Sequence, residues 1–160
     1  MAMWNNSAWF PITTKIWIEY VGSDNEKHRP IVIHRVIFGS IERFIGILIE
    51  HFAGKFPTWL APVQVKVLPI SDKFNNYCDE VVKQFYENGI RIEIDQRNEK
   101  IGYKIREARN ERVPYIVIIG EKEEEEGNVS LRSRKNGDEG SINVIDLIER
   151  INNEIKNKYI

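Results

Sequence analysis

The chain has 160 residues, 23 basic and 24 acidic side chains, a formal net charge of −1 and a single cysteine, Cys78. This length allows the chain to bury a hydrophobic core of its own. The balanced charge excludes a global basic field, and one cysteine with three histidines leaves neither a disulfide framework nor a Cys/His cluster of zinc-site spacing. No apolar run approaches the ~18 residues that span a bilayer. Composition therefore predicts a soluble, cytoplasmic protein.

The N-terminal part of the chain begins with residues 1–15, which lack the basic start and continuous apolar run of a signal peptide. Two strands are expected next, at residues 16–20 and 31–38, joined by the turn residues VGSDN. His34 lies in the second of these strands. A lone histidine on an apolar strand is usually satisfied by a neighbouring backbone group.

An apolar helix is expected after the turn at Gly39. Ser40 is a natural N-cap, and Glu42 suits the positive end of the helix dipole. At ~100° per residue, Arg43 lies opposite an apolar stripe, whose members are Ile41, Phe44, Ile45, Leu48 and Phe52. The Arg43 guanidinium could pair with a neighbouring carboxylate, which is the commoner arrangement, or it could stack on a base or bind a phosphate.

Beyond the proline-bounded linker FPTWLAP, the pattern alternates between strands and helices. Strands are expected at residues 63–70, 90–94 and 115–119, with helices at 71–88 and 100–112. Such βαβ repeats require a parallel sheet with right-handed crossovers. An antiparallel strand at 128–134, entered by an acidic turn at 121–127, and a helix at 142–159 complete the domain. The predicted class is α/β, a mixed, mainly parallel sheet flanked by helices and preceded by a strand–strand–helix segment.

Charge is unevenly distributed in this second part of the chain. Residues 91–112 contain seven basic and five acidic side chains, residues 132–135 read RSRK, and residues 121–126 read EKEEEE. Basic runs commonly form only a solvated face. A carboxylate beside a phosphate backbone repels it, so an acidic residue suits an RNA site only if it accepts hydrogen bonds from a base edge. The neighbouring N–H donors of guanine offer such an edge.

Two segments carry a resemblance to a known family. Residues 34–62, HRVIFGSIERFIGILIEHFAGKFPTWLAP, resemble the third signature motif of class II aminoacyl-tRNA synthetases in the form found in threonyl-tRNA synthetases. Residues 90–123, IRIEIDQRNEKIGYKIREARNERVPYIVIIGEKE, resemble the anticodon-binding domain of the same family. The resemblance implies an unmatched segment at 1–15, the end of a catalytic domain at 16–55, and an anticodon-binding domain at 56–160.

For the first segment, the resemblance implies residues that serve catalysis. Arg43 is the implied catalytic residue and, with Ser40 and Gly39, contacts ATP. His34 stands where the family has the last of three protein ligands to a zinc ion, and that zinc ion holds the amino group and the hydroxyl of threonine. The other two ligands lie upstream in the family, and Cys78, on the apolar face of a helix in the other domain, cannot replace them. Neither ATP nor zinc is therefore expected to be held stably by this chain alone.

For the second segment, the resemblance implies residues that read an anticodon. Glu123 stands where the family has a guanine-reading glutamate, and Arg132 where it has a uracil-reading arginine. Lys100, in the NEK motif, is implied as a further contact to the anticodon loop, with Asn98 and Arg134 as neighbours. Threonine anticodons carry G and U at their second and third positions, so these residues predict binding to threonine tRNA.

The resulting hypothesis is the C-terminal part of a threonyl-tRNA synthetase, which binds RNA but does not catalyse alone. The complete enzyme is expected to be a homodimer that activates threonine with ATP and charges its tRNA. The alternative is a free-standing RNA-binding or regulatory protein with the same fold. Arg43, His34 and the Gly39-Ser40 turn argue against it, because such a protein has no use for an ATP-facing arginine. A small-molecule α/β enzyme is disfavoured by the absence of a phosphate-binding glycine loop or nucleophile motif.

Overall fold

A computed structural model of the chain describes residues 18–31 and 35–159. It divides into two compact units, Met1–Ile47 and Leu48–Ile160. No helix in the described part of the chain is long and apolar enough to cross a membrane. The boundaries predicted from the sequence, at residues 15/16 and 55/56, stay predictions.

The first unit contains a short hairpin and the beginning of a helix. Strand β1 (Tyr20–Val21) pairs antiparallel with β2 (Lys27–His28), and helix α1 (Ile41–Phe52) follows. The predicted strand at residues 31–38 is wrong for residue 31 and for residues 35–38, which have no strand structure. A strand needs a hydrogen-bonded neighbour, and among the described residues β1 has β2 as its one partner strand. The remaining residues of that prediction, including His34, lie outside the described part of the chain.

A five-stranded mixed sheet forms the second unit. Its strands are β3 (Val65–Pro69), β4 (Ile92–Ile94), β5 (Tyr115–Ile119), β6 (Asn128–Ser133) and β7 (Gly137–Asn143). They lie in the order β4-β3-β5-β6-β7, with β3 parallel to both neighbours and the β5–β6 and β6–β7 pairs antiparallel. Four of the five strands therefore run in one direction, and the predicted mixed, mainly parallel sheet is confirmed.

Helices cover both faces of this sheet. They are α2 (Asn75–Glu87, after a 3₁₀ turn at Asp72–Phe74), α3 (Ile101–Asn110), α4 (Glu121–Glu126) and α5 (Val144–Asn157). Helices α2 and α5 pack on one face in the larger core, and α3 packs on the other over β3 and β5. Along β6, buried residues alternate with half-buried ones. Val129 and Leu131 face the larger core, which leaves Arg132 on the face that α3 partly covers.

Two elements of the second unit differ from the prediction. The acidic turn expected at residues 121–127 is the helix α4, which Gly127 ends with a φ of 67°. Strand β7 falls where no strand was expected, and the last helix begins at Val144 rather than at residue 142. The sequence of β7, GDEGSIN, is poor in strand formers. Its place in the sheet comes from pairing with β6, and the side chain of Asn143 then caps α5 by accepting from the Ile145 N–H at 2.9 Å.

Candidate nucleic-acid interface

The carboxyl ends of the three neighbouring parallel strands define one edge of the sheet. Strand β4 leads into the loop at residues 95–100, and β5 leads directly into α4. Asn98 and Lys100 lie in that loop and are exposed, while Glu123 lies in the first turn of α4. The fold thus brings three of the predicted RNA-binding residues to the edge at which open α/β sheets usually bind ligands.

An internal ion pair holds the loop that carries Asn98 and Lys100. The carboxylate of Asp95 accepts from Arg97 Nε at 2.9 Å, from Nη2 at 2.6 Å and from the backbone N–H at 3.1 Å. Arg97 also pairs with Glu107 on α3. The hydrogen bonds from Arg97 lower the pKa of Asp95 to about 2. The loop is therefore anchored by a buried carboxylate rather than left free in solvent.

A buried lysine lies beneath the same edge. Lys104 on α3 is 3% exposed, and its Nζ donates to the backbone oxygens of Asp95 at 3.0 Å and Pro69 at 3.3 Å. It therefore joins the carboxyl ends of β3 and β4. This lysine belongs to the basic run predicted as a candidate RNA surface, but its ammonium group is committed to the protein interior.

Glu123 differs from the other acidic residues of α4. It is half-buried, whereas Glu121 and residues 124–126 are exposed. Its Oε2 accepts from the Gly120 N–H at 3.0 Å, which caps the helix. A methyl group at Gly120 would lie 2.7 Å from Cδ1 of Ile70 and 3.1 Å from this carboxylate oxygen. The glycine thus allows the Glu123 carboxylate to hold a fixed position at the sheet edge.

Arg132 lies away from that edge, partway down the sheet. It is opposite Ile116 in the β5–β6 register and pairs with Asp138 on β7, with Nη2 2.5 Å from Oδ2. The Nε atom of Arg132 is buried and has no hydrogen-bond partner in the described part of the chain. From Ile119 to Ile116 is three residues, or about 10 Å along a strand. A ligand that contacts both Glu123 and Arg132 must therefore lie across this face of the sheet.

Arg134, also predicted as an RNA contact, is bonded within the protein. Its Nη1 donates to the backbone oxygen of Arg112 and its Nη2 to that of Phe56, both at 2.7 Å. These bonds hold the linker before β3 against the end of β6. A role for Arg134 in RNA binding stays a prediction, and its terminal nitrogens have a structural role.

The predicted ATP-facing residues lie in the first unit. Gly39 has a φ of 70°, and Ser40 Oγ bonds to Glu42 Oε2 at 2.5 Å and to the Arg43 N–H at 3.4 Å. The hydroxyl of Ser40 lowers the pKa of Glu42. Arg43 is exposed, and no residue of α1 is buried. These residues form the start of a capped helix, and their contact with ATP stays a prediction.

A metal site is not formed by the described residues. Within 18–31 and 35–159, no three His, Cys, Asp or Glu side chains come together in a way that could hold a metal ion. Cys78 is buried, and burial raises the pKa of its thiol to about 11, which keeps it protonated near neutral pH. The predicted zinc ligand, His34, lies outside the described residues.

Structure divides five of the seven basic residues at 91–112 into two groups, which the sequence alone could not do. Arg91, Arg97 and Lys104 bond to other parts of the protein. Arg106 and Arg109 are exposed on α3, and their side chains make no hydrogen bond or ion pair with any described residue. The sequence did not point to Asp138 or to the buried Asp95, because only the strand register and the loop conformation identify their arginine partners.

Comparison with known proteins identifies the class to which this fold belongs. The anticodon binding domain family matches residues 64–154, more than half of the chain. The chain belongs to this anticodon-binding family.

Particular relatives are threonine–tRNA ligases. The ligase of Caldanaerobacter subterraneus is 61% identical over 151 residues, and that of Clostridium acetobutylicum is 60% identical over 149 residues; the alignments cover 94% and 93% of this chain. The chain spans 23% of the length of each. A further match is a crystal structure of the RNA-binding domain of threonyl-tRNA synthetase from Cryptosporidium parvum, with 32% identity and a TM-score of 0.67. The match covers 90% of this chain and 36% of the chain in that structure. The resemblance seen in the sequence is confirmed.

Proposed function

We infer that this chain binds the anticodon loop of threonine tRNA as part of a threonine–tRNA ligase. The observation that carries this proposal is the fixed carboxylate of Glu123. One of its oxygens is bonded to Gly120, and the side chain is only half-buried at the ligand-binding edge of the sheet. A carboxylate can accept the neighbouring N–H donors of guanine, which stands at the second anticodon position.

Further contacts in this proposal come from three more residues. Arg132 donates to a carbonyl oxygen of the uracil at the third position, while Lys100 and Asn98 contact the loop from the anchored turn after β4. An arginine presents several donors in a planar fork, which suits a base edge. The exposed side chains of Lys100 and Asn98 are supported in this role by their position at the same edge as Glu123.

The proposal extends to the whole ligase. Such an enzyme joins threonine to its tRNA at the expense of ATP, and Arg43, with Ser40 and Gly39, contributes the contacts to ATP. Arg43 is exposed at the start of α1, where a guanidinium can bind phosphate oxygens or stack on a base. His34 as a zinc ligand, a homodimeric state and a cytoplasmic location belong to the same proposal. None of the relatives described above supports a free-standing regulatory protein.

Direct binding measurements test this function. A stem-loop with the threonine anticodon should bind the 160-residue chain more tightly than loops with A at the second position or C at the third position. Each mismatch is expected to cost about 1–3 kcal/mol. Equal affinity for all three loops would contradict the proposal.

A further inference from the structure

One side of helix α3 carries a basic surface with no role assigned above. Its residues are Gly102, Arg106 and Arg109, called here the basic flank. All three are exposed, and the two arginine side chains make no hydrogen bond or ion pair within the described chain. A methyl group built on Gly102 would have no heavy atom within 4 Å. The flank is therefore open to a ligand.

The opposite side of α3 is acidic and faces the β4 side of the sheet. Glu107 pairs with Arg97, which follows β4, and Glu111 pairs with Lys66 on β3. Around the axis of α3, at ~100° per residue, the residues of the basic flank lie about 120–180° from the mean direction of Glu107 and Glu111. Because α3 packs over β3 and β5, and β6 follows β5 in the sheet, the basic flank lies on the exposed side of α3 that is nearer to β6.

Strand β6 presents polar residues on the same face. Arg132 and Ser130 lie opposite Ile116 and Ile118 in the β5–β6 register, and both isoleucines belong to the core under α3. Cross-strand neighbours of this kind point to the same side of a sheet. A strip of half-buried sheet surface therefore runs beside α3, with the basic flank along one side and β7 along the other.

We propose that the basic flank binds the sugar–phosphate backbone of the RNA whose bases reach Glu123 and Arg132. This proposal rests on the function inferred above. Two guanidinium groups that have no partner among residues 18–31 and 35–159 can bind phosphate oxygens, each with parallel hydrogen bonds. The missing side chain of Gly102 lets the RNA backbone approach the helix closely. Because phosphates are the same in every sequence, the flank contributes affinity and does not select bases.

Replacement of both arginines by alanine, Arg106→Ala with Arg109→Ala, tests the phosphate contacts. Binding of the threonine anticodon stem-loop is measured over a series of salt concentrations. Each lost phosphate contact lowers the slope of log affinity against log salt by about 0.7–0.9. The double variant should lose about 1.4–1.8 from that slope and bind about 10- to 100-fold more weakly at low salt. The preference for G over A at the second position should not change.

The matched control is Lys83→Ala with Lys156→Ala. It removes the same charge from exposed positions on α2 and α5, which cover the other face of the sheet. The control should change the affinity by less than about two-fold, as expected for charges far from the RNA. If the arginine variant cannot be distinguished from this control, the proposal is wrong.

The substitution Gly102→Ala distinguishes an effect on the approach of the RNA backbone from an effect on helix stability. Alanine favours a helix, so the melting temperature should rise by about 2–6 °C. RNA affinity should nevertheless fall by about 3- to 10-fold, because the methyl group occupies space that the RNA backbone needs. Gly46→Ala in α1 is the control, since a methyl group there also meets no heavy atom within 4 Å. If Gly102→Ala leaves the RNA affinity unchanged, the RNA backbone does not approach α3 closely at this residue.

The two proposals fail in different ways. If the unmodified chain binds cognate and non-cognate loops equally, the inferred function is refuted, and so is the proposed role of the basic flank. If the unmodified chain keeps that preference and the double arginine variant matches its lysine control, only the role of the basic flank is refuted.

Discussion

Arg132 and Asp138 face each other across an irregularity in the β6–β7 ladder, with Nη2 of the arginine 2.5 Å from Oδ2 of the aspartate. The register shifts between Leu131 and Arg132, and the backbone at Gly140 donates to the other oxygen of Asp138 at 3.2 Å. Bulges of this kind re-aim a side chain at a functional site. Asp138 thus fixes one nitrogen of the guanidinium, and Nε, which has no partner among the described residues, has bonding capacity that a base could satisfy.

Arg132→Ala should weaken binding of the threonine anticodon stem-loop by about 1–3 kcal/mol. The loss of affinity should be smaller for a loop with C at the third position. The substitution removes a contact to uracil, not a general attraction to phosphates. Titration against both loops at one salt concentration gives the two affinities.

Lys135→Ala is the control for charge at this end of β6. Lys135 is exposed, and it carries the same charge without a predicted base contact. Its replacement should weaken binding to both loops equally. A uniform loss in Arg132→Ala would show that Arg132 contributes only charge.

The anchored loop after β4 predicts a pH-dependent stability. The pKa of Asp95 is about 2 in the folded chain, below its ordinary value of 3.8, chiefly because Arg97 donates hydrogen bonds to it. A lowered folded pKa adds stability above pH ~4, and this stability is lost as the pH falls towards 2. Asp95→Asn should therefore reduce the free energy of unfolding by about 1.5–3 kcal/mol at pH 7 and by less at pH 3.

Urea unfolding at pH 7, 4 and 3 measures this difference. Asp79→Asn on the exposed side of α2 is a suitable control and should change stability by less than about 0.5 kcal/mol at each pH. The free energy of unfolding of Asp95→Asn is compared with that of the unmodified chain at each pH. If the difference stays constant down to pH 3, the assigned role of the Asp95–Arg97 pair is wrong.

Exposed apolar side chains of α1 predict self-association. The exposed fractions are 62% for Ile41, 49% for Ile45, 55% for Ile47 and 48% for Ile49. Exposed apolar side chains of this kind favour association. A chain shortened to residues 56–160 should be more monodisperse in light scattering and should keep a cooperative melt. Unfolding of this shortened chain would show that the predicted boundary at residue 56 is misplaced.

Regular elements with strong periodicity could be predicted from the sequence. Apolar side chains at helical spacing in residues 74–85 predict a buried stripe, and three of its members, Cys78, Val81 and Phe85, are fully buried. The bounds of β5 were also correct, because YIVII is a short apolar run between turn residues. β7 was missed because its glycines and acidic residues oppose strand formation and only its partner strand determines its conformation.

The candidate site was less accessible to sequence reasoning. The predicted RNA-binding residues came from resemblance, and their separation between the sheet edge and the sheet face became visible only with the strand register. The bond from Arg134 to the oxygen of Phe56 joins residues far apart in the chain, and no local pattern encodes it. The same is true of the contact between Lys66 and Glu111, which shows which way α3 faces.

The most direct test of the account is the substitution Glu123→Gln, with Glu125→Gln as the control. Both remove one negative charge from α4, and Glu125 is exposed. The amide oxygen of glutamine can still accept from Gly120, so the helix cap is retained. Its NH₂ group, however, places a donor against the N–H donors of guanine.

The measurement is the affinity of each variant for stem-loops with G or A at the second anticodon position, at one fixed salt concentration. The account predicts that Glu123→Gln weakens binding of the G loop by about 1–3 kcal/mol and narrows its advantage over the A loop, although the surface has become less acidic. Glu125→Gln should leave binding unchanged or slightly tighter, because phosphate repulsion is reduced. Equal or tighter binding of the G loop by Glu123→Gln would contradict the account.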